Sequence, residues 1–204
     1  MPLKTGRALS RSIAEKMQRQ SGGIDQLTGG KIGGCWYHDG PTYWIRALPF
    51  EPTGNASDRS SHYHRIPGLE PEHGNVLAAI LSSTTFYFHF KLSGNCRDLG
   101  SRDIQTFRLP VLATESLNEL TSLGGQLGLT LARTAKRCVR SYPSGVIEYD
   151  EYYPARAKSI IDDIDRVLGM HYGFTDEELD FIVNYDIKYR MGRDAADDAV
   201  AGDA

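Results

Sequence analysis

The sequence predicts an α+β fold with an aromatic-rich mixed or antiparallel sheet, about four helices and a C-terminal helical pair. Tryptophan and tyrosine are concentrated in two strand-like runs between residues 35 and 48, on either side of the turn sequence HDGP. Apolar residues recur at helical spacing in several later segments. With 204 residues, 40% of them hydrophobic, the chain is long enough to bury a core.

The first seventy residues are expected to supply the strands. Residues 1–30 join the helix-compatible SRSIAEKMQRQ to the glycine-rich SGGIDQLTGG, which predicts a partly flexible N-terminal segment. Residues 35–37 and 43–48 are expected to pair as a hairpin. The region 51–74 is polar and reads as a loop with at most one short strand, at 62–66.

Helices are predicted over about 76–90, 115–138, 155–168 and 175–190. VLAAILSS begins the first of them, although FYFHFKL fits either its continuation or a strand. Gly124 and Gly125 are expected to weaken the middle of the second helix. Pro154 suits the first turn of the third helix, and the segment before it, SYPSGVIEYDEYYP, reads as a loop.

The stretch HYGFTDEELDFIVNYDIKYRMG predicts a well-capped last helix. Thr175 stands three residues before Glu178, the spacing of a capping box. Lys188 and Arg190 would then lie near the negative end of the helix dipole. Residues 193–204 are rich in alanine and aspartate and are expected to form a disordered acidic tail.

Composition excludes several classes of protein. No apolar run is long enough to cross a bilayer and the N-terminus lacks a signal-peptide core, so we expect a cytoplasmic protein that does not contact a membrane. The cysteines, Cys35, Cys96 and Cys138, are odd in number and never form a CxxC pair, which argues against a disulfide framework or a structural zinc site.

Charge is distributed unevenly along the chain. Residues 1–140 hold 17 Lys and Arg against 11 Asp and Glu, whereas residues 141–204 hold six against 15. A basic N-terminal region and an acidic C-terminal region are typical of a protein that binds a polyanion with one face, although the need for solubility alone can give the same pattern.

Three segments together resemble the C-terminal target-recognition region of large adenine-specific DNA methyltransferases of the Type IIG restriction-modification kind. ILSSTTFYFHF (80–90) resembles a recurrent helix of that family, and GNCRDLGSRDIQTFRLP (94–110) resembles the loop and extended exit that follow it. Residues 149–192 are similar to the segment with which many of these enzymes end. The resemblance covers about residues 31–192, and is weak before residue 70.

The departures from that family bear on catalysis. Such an enzyme needs a glycine-rich loop for S-adenosylmethionine and an Asn/Asp-Pro-Pro-aromatic motif for the flipped adenine, and this sequence contains neither. The resemblance therefore implies a non-catalytic module without a cofactor, with double-stranded DNA and a separate methyltransferase or endonuclease subunit as partners. It implies a recognition domain over 31–150 and a helical pair over 151–192 packed on it.

The residues assigned to DNA contact are basic or polar and lie in or beside two loops: Arg59, Ser61, His62, His64, Arg65, Lys91, Asn95, Arg97 and Arg102. Arg and Asn side chains can bond to guanine and adenine edges, and Arg also binds phosphate. The plainer interpretation is that Arg97 with Asp98 and Arg102 with Asp103 are surface pairs, and that Asn95 caps a turn. Trp36, Tyr37, Tyr43 and Trp44 would stack on a flipped base or, more simply, belong to the core.

Two other functions fit the sequence. The acidic total and the absence of any basic run also suit a protein-interaction or self-associating module that kept the same fold. His62 and His64 with Glu70 suggest a small metal-dependent enzyme, because two histidines and a carboxylate are a common metal-binding set.

Overall fold

The computed structural model describes residues 8–53, 62–143 and 145–192. The helices are, in chain order, α1 (Ala8–Gln18), α2 (His73–Ser82), α3 (Thr84–Ser93), α4 (Ser101–Gln105), α5 (Thr114–Thr134), α6 (Lys158–Tyr172) and α7 (Asp176–Val183). Short 3-10 turns cover Ile24–Leu27 and Pro154–Ala157, and residues 187–192 are again helical. No helix in these ranges is long and apolar enough to cross a membrane.

The strands form small antiparallel sheets. They are β1 (Gly22–Gly23), β2 (Cys35–His38), β3 (Ala47–Leu48), β4 (Tyr63–Ile66), β5 (Arg108–Leu109), β6 (Lys136–Tyr142) and β7 (Gly145–Glu151). The central sheet has the order β3-β2-β4, β1 pairs with β5, and β6 pairs with β7. The α+β class, the C-terminal helical pair and the short strand at 62–66 are confirmed. The aromatic hairpin is present, but its second strand covers only Ala47–Leu48 and not 43–48.

Helix α2 lies at the centre of the core and is surrounded on every side. Its residues from Val76 to Ser82 are all buried, which is the burial pattern of a helix that is apolar all round. It packs against α5 on one side and against β2 and β3 on the other. Residues 8–28 join the same core through Ile13, Ile24 and Leu27.

Glycines on α5 allow it to approach α2 closely. A Cβ at Gly124 would overlap the backbone carbonyl of Asn75, and a Cβ at Gly128 would overlap Pro49. The single helix predicted here is present and runs unbroken from Thr114 to Thr134 through both glycines. The contact with α2 offsets the poor helix propensity of glycine.

The predicted helix 76–90 is two helices that meet at Ser83. The backbone of Ser83 is extended, its hydroxyl donates to the carbonyl of Ile80 at 2.6 Å, and the same oxygen accepts from the N–H of Phe86 at 3.0 Å. Ser83 therefore ends α2 and begins α3. Hydroxyl side chains compete with the helix backbone for hydrogen bonds in this way, so the SSTT run explains the break.

A buried carboxylate completes the N-terminus of α3. Asp165, on α6, has no exposed surface and accepts from the N–H of Thr84 at 3.0 Å and from the N–H and hydroxyl of Thr85 at 2.8 and 2.7 Å. Burial raises the pKa of Asp165, while these hydrogen bonds oppose the rise. The carboxylate thus supplies, from a distant helix, the acceptors that the first turn of α3 needs.

Arg190, near the C-terminal end of the described residues, packs against Trp44 and bonds to Thr84 at the start of α3. Its guanidinium carbon lies 3.7 Å from the centre of the Trp44 ring, and Nη1 donates to the hydroxyl of Thr84 at 3.1 Å. The indole N–H of Trp44 donates to the carbonyl of Arg190 at 3.0 Å. Arg190 was predicted to lie near the end of the last helix, but α7 ends at Val183. The Arg190 side chain is instead 1% exposed, and burial lowers its pKa.

Glu178 joins the last helix to the first. The predicted capping box is confirmed, because Thr175 accepts from the N–H of Glu178 and its own N–H donates to the carboxylate at 2.8 Å. The same carboxylate accepts from Lys16 and from Ser12, both on α1, at 2.6 Å. The helix predicted over 175–190 is interrupted after Val183 by a turn in which Asp186 has a φ of 55°.

The hairpin formed by β6 and β7 contradicts the predicted loop at 141–154 and the predicted end of the preceding helix at 138. Most of its side chains are exposed, so neither strand shows the alternation of a half-buried strand. An ion pair holds the ribbon together, with Arg137 Nε 2.6 Å from Asp150 Oδ1. Thr53 anchors its base by donating to Asp150 and to the hydroxyl of Tyr152. The expected acidic tail lies outside the described residues.

Adjacent glycines on α5 are expected to respond in opposite ways to alanine. Gly124→Ala should lower the free energy of unfolding by about 1–3 kcal/mol, because the new methyl group overlaps the backbone of Asn75. Gly125→Ala should raise it by about 1 kcal/mol, since its nearest neighbour would be the Asn75 side-chain nitrogen at 3.6 Å and alanine favours helix. Urea unfolding measures both. Stabilisation by both substitutions would contradict the close approach of α5 to α2.

Glu178 is expected to make stability depend on pH in acid. Burial alone would raise its pKa, but the bonds from Lys16, Ser12 and Thr175 outweigh burial and hold the pKa below its usual range. The stabilisation is therefore complete above the unfolded-state pKa of about 4.3 and is lost as pH falls through the lower folded-state pKa. At pH 7, Glu178→Gln should cost about 1–3 kcal/mol in the free energy of unfolding.

The matched control is Glu177→Gln, which changes an exposed carboxyl in the same turn of α7. Unfolding curves at pH 7 and pH 3 should show that the deficit of Glu178→Gln shrinks in acid, while Glu177→Gln stays close to the wild type at both. An equal deficit at the two pH values would show that ionisation of Glu178 does not stabilise the fold.

Candidate nucleic-acid interface

The loop of residues 94–100, between α3 and α4, is fixed by an asparagine side chain. Asn95 Oδ1 accepts from the backbone N–H groups of Arg97 and Asp98 at 2.8 and 2.9 Å. Cys96 adopts a positive φ of 62°, and its thiol donates to the carbonyl of Lys91 at 3.4 Å. The expected turn-capping role of Asn95 is confirmed, and the loop is a defined turn.

Arg97 and Asp98 project from this turn into solvent. Arg97 Nε lies 3.4 Å from Asp98 Oδ2, and the side chains are 87% and 60% exposed. The expected surface pair is therefore present, but such an exposed pair contributes little to stability. Its effect is to orient a guanidinium whose donors remain accessible to a partner.

The turn is tied to the central sheet through Asp39. The N–H of Leu99 donates to the carbonyl of Asp39 at 2.7 Å, and the Leu99 side chain is buried. The Asp39 carboxylate accepts from His62 Nδ1 at 2.9 Å and from His64 Nε2 at 3.1 Å. His62 and His64 thus lie beside the turn that carries Asn95 and Arg97, although more than 30 residues separate the two segments.

Neighbouring charges set the protonation of this cluster. Burial raises the pKa of Asp39, but hydrogen bonds from His64 and His62 outweigh it and keep the carboxyl ionised. Burial and the nearby Arg46 lower the pKa of His38 to about 4, so its ring is neutral at pH 7. His38 Nδ1 accepts from the N–H of Gly40 at 3.0 Å. The His38 ring stacks on the ring of His62, with the ring centres 5.5 Å apart.

A groove opens on the other side of α4. It encloses about 690 Å³ and is lined by residues of α1, α3, α4 and β5, together with the start of the turn. Arg102 and Arg108 lie on it, and neither guanidinium forms an ion pair with a carboxylate among the described residues. Asn95 also lines it, so the groove continues the surface of the turn.

The structure brings together some of the predicted contact residues and separates others. His62, His64, Asn95, Arg97 and Arg102 lie on or beside the turn and the groove. Lys91 is joined to the turn only through its carbonyl. Arg65 lies on the opposite face of the sheet from His64, where it pairs with Trp36 and donates to the carbonyl of Gly33 at 2.8 Å.

Two predicted residues, Arg59 and Ser61, lie outside the described residues. The expected pair between Arg102 and Asp103 is not formed, because the Asp103 carboxylate accepts instead from the N–H of Gly100 at 2.9 Å. Tyr37 and Trp44 are buried in the core, as the plainer interpretation expected. Trp36 and Tyr43 are partly buried and pack against it.

The metal interpretation of His62, His64 and Glu70 finds no support in the geometry. Both histidines bond to Asp39, and the backbone N–H of Glu70 donates to His73 Nδ1 at 3.3 Å. Over residues 8–53, 62–143 and 145–192, no group of three His, Cys, Asp or Glu side chains could hold a metal ion.

Sequence reasoning missed three residues of this surface: Asp39, His89 and Thr106. Asp39 was interpreted only as part of the turn HDGP, and its role depends on contacts with the distant His62 and Leu99. His89 and Thr106 sit next to the predicted loop, and the spacing of His89 four residues before Ser93 on one helix face was an available signal.

Comparison with known proteins does not identify the chain. No protein-family model matches it, and neither curated proteins nor solved structures include a significant match.

Proposed function

We propose that the chain is a sequence-specific recognition module for double-stranded DNA that serves a restriction-modification methyltransferase and carries no catalytic site of its own. One observation supports this most. The hydrogen bond from Leu99 to Asp39 places the turn with Asn95 and Arg97 beside His62 and His64 on one exposed surface. The link to methyltransferases comes from the resemblance of residues 80–110 and 149–192.

The donors on this surface suit a polyanion with readable base edges. Arg97 presents a planar fork that can take guanine O6 and N7 or a phosphate. Arg102 is exposed and forms no ion pair with a described carboxylate. Contacts to phosphate fix the position of a protein on DNA, and contacts to base edges determine which sequence it prefers. Arg97 and Arg102 together can supply both kinds of contact.

Asn95 has a narrower role than the sequence suggested. Its Oδ1 already accepts two hydrogen bonds, so the side chain offers a partner only the two donors of its amide nitrogen. A bidentate contact to adenine needs the oxygen as well. We therefore assign Asn95 to shaping the turn and to a single donor contact.

The C-terminal helices brace this surface and do not form it. Asp165 and Glu178, the acidic residues of α6 and α7 with the most hydrogen bonds, point into the fold. The remaining acidic side chains on these helices would repel phosphate.

The first experiment is a titration of the full chain with mixed-sequence duplexes at low and moderate salt. Binding at low salt that weakens steeply as salt rises is expected, because phosphate contacts release counterions. Absence of binding even at low salt would overturn the proposal.

Arg97→Ala should weaken binding to the preferred duplex by about 1–3 kcal/mol and relax preference at one base pair if Arg97 reads a guanine. If Arg97 touches only phosphate, all duplexes should lose a similar factor and the salt slope should shrink by about one. Arg97→Lys separates these outcomes because it keeps the charge and loses the fork. Electrophoretic or fluorescence titration measures each.

The matched control is Arg166→Ala, which removes another exposed arginine that likewise pairs with an exposed aspartate, Asp163 on α6. It should leave affinity unchanged beyond the loss of one charge. Equal losses for Arg97→Ala and Arg166→Ala would show that the turn makes no specific contact.

Two substitutions at Asn95 should separate the shape of the turn from its contact with DNA. Asn95→Asp keeps an oxygen that can accept from Arg97 and Asp98 but removes the amide donors and adds a negative charge. Asn95→Ala removes both functions. Hydrogen exchange at the amides of Arg97 and Asp98 should accelerate only in Asn95→Ala, whereas DNA affinity should fall in both. Normal affinity in Asn95→Asp would confine Asn95 to a structural role.

A protein-interaction or self-associating module is the second candidate, and the β6–β7 hairpin favours it. Val139, Tyr142 and Val146 are exposed there, and no charged residue lies between Ser141 and Ile147. Exposed apolar side chains on a ribbon with unpaired edges are typical of a docking element. Sedimentation of the chain without DNA distinguishes the candidates, since a stable dimer that binds no duplex favours the second.

A further inference from the structure

The groove between α1 and α4 has the chemistry of a ligand site. Ala14, Met17 and Leu92 form the apolar floor of the groove, each with only 3–5% of its surface exposed, and apart from Gly94 the remaining lining is polar or charged. Its volume of about 690 Å³ lies within the range of small-molecule sites. The turn is tied to the sheet by the bond from Leu99 to Asp39, and neither residue lines the groove, so a ligand could enter without breaking that bond.

The charge of the groove favours an anion. Arg102 and Arg108 line it without a carboxylate partner among the described residues, while the only carboxylate in the lining, Asp103, is engaged by the N–H of Gly100. Burial lowers the pKa of His89, although its bond to the carbonyl of Asp103 opposes the shift, so this ring adds no charge at pH 7. Two arginines that line one groove suit a phosphate group.

The neutral polar groups divide into donors and acceptors. Ser93 and Thr106 donate their hydroxyl protons to the carbonyls of His89 and Arg102, at 2.8 and 2.9 Å, so both oxygens present lone pairs to a ligand. Asn95 presents only amide protons because its oxygen is occupied. A ligand that satisfies this lining carries both donors and acceptors, an apolar flat part and an anion.

We propose that this groove binds a nucleoside monophosphate unit, with the phosphate on Arg102 and Arg108 and the base along Met17 and Leu92. The same unit can come from a free mononucleotide or from an unpaired nucleotide of a nucleic-acid strand. The site shares Asn95 and Arg102 with the surface proposed for duplex DNA, but it does not include Arg97 and does not require recognition of a paired duplex.

The test uses the full chain, labelled with nitrogen-15, and titrates it with adenosine 5′-monophosphate, adenosine and inorganic phosphate. The monophosphate should bind at least tenfold more tightly than either part, and shift the amide signals of Ser93, Asn95 and Thr106. An affinity equal to that of inorganic phosphate, or shifts confined to other residues, would overturn the assignment.

Charge-removing variants test the phosphate end of the site. Arg102→Gln and Arg108→Gln should each lower the affinity for adenosine 5′-monophosphate by tenfold or more and leave the weak binding of adenosine unchanged. Both side chains are exposed, so the fold should tolerate the changes. Arg133→Gln, at an exposed position on α5 away from the groove, is the matched control and should bind like the wild type. Equal losses in all three variants would show a general charge effect and refute the site.

Two duplexes of equal length, one fully paired and one with a single unpaired nucleotide, distinguish the sources of the ligand. Tighter binding of the second duplex, reversed by adenosine 5′-monophosphate, identifies the strand nucleotide as the ligand. Equal affinities, with the monophosphate still bound in the groove, identify the free nucleotide. Failure of the fully paired duplex to bind would count against the proposed function alone, whereas failure of all nucleotide probes in the groove counts against this site alone.

Discussion

The buried carboxylate of Asp165 is the constraint on which the rest of the structure depends. A carboxyl group without solvent is stable only when it is hydrogen-bonded, and Thr84 and Thr85 provide three bonds from the first turn of α3. The hydroxyl of Thr84 in turn accepts from Arg190, so a buried acidic and a buried basic side chain both bond to Thr84. This arrangement fixes the start of α3, and the other end of that helix carries the Asn95 turn.

The sequence was sufficient to predict elements that depend on local chemistry. The apolar stripe of α6 and the capping box of Thr175 and Glu178 each depend on residues only three or four positions apart, and both are present. The β6–β7 hairpin was missed because its exposed strands lack the alternation that marks a half-buried strand. The burial of Arg190 against Trp44 was not predicted, because the two residues are 146 positions apart and no local pattern reveals such a contact.

The candidate site was only partly predictable for the same reason. The turn-forming tendency of Asn95 and the exposure of Arg97 follow from short-range chemistry and could be anticipated. The meeting of His62 and His64 with that turn depends on Asp39, which contacts two distant segments of the chain, the β4 region and the turn itself. The groove needs α1 as one wall, and nothing in the sequence of α1 indicates which helix it faces.

The position of Arg190 so late in the sequence has a consequence for the order of folding during synthesis. Translation delivers α2, the first turn of α3 and Trp44 long before Asp165 and Arg190 leave the ribosome. Until then the N–H groups of Thr84 and Thr85 lack their carboxylate and the Trp44 ring lacks its cover. The nascent chain must hold its most apolar helix in an unfinished state, and the domain reaches its final packing only once nearly all of it has been made.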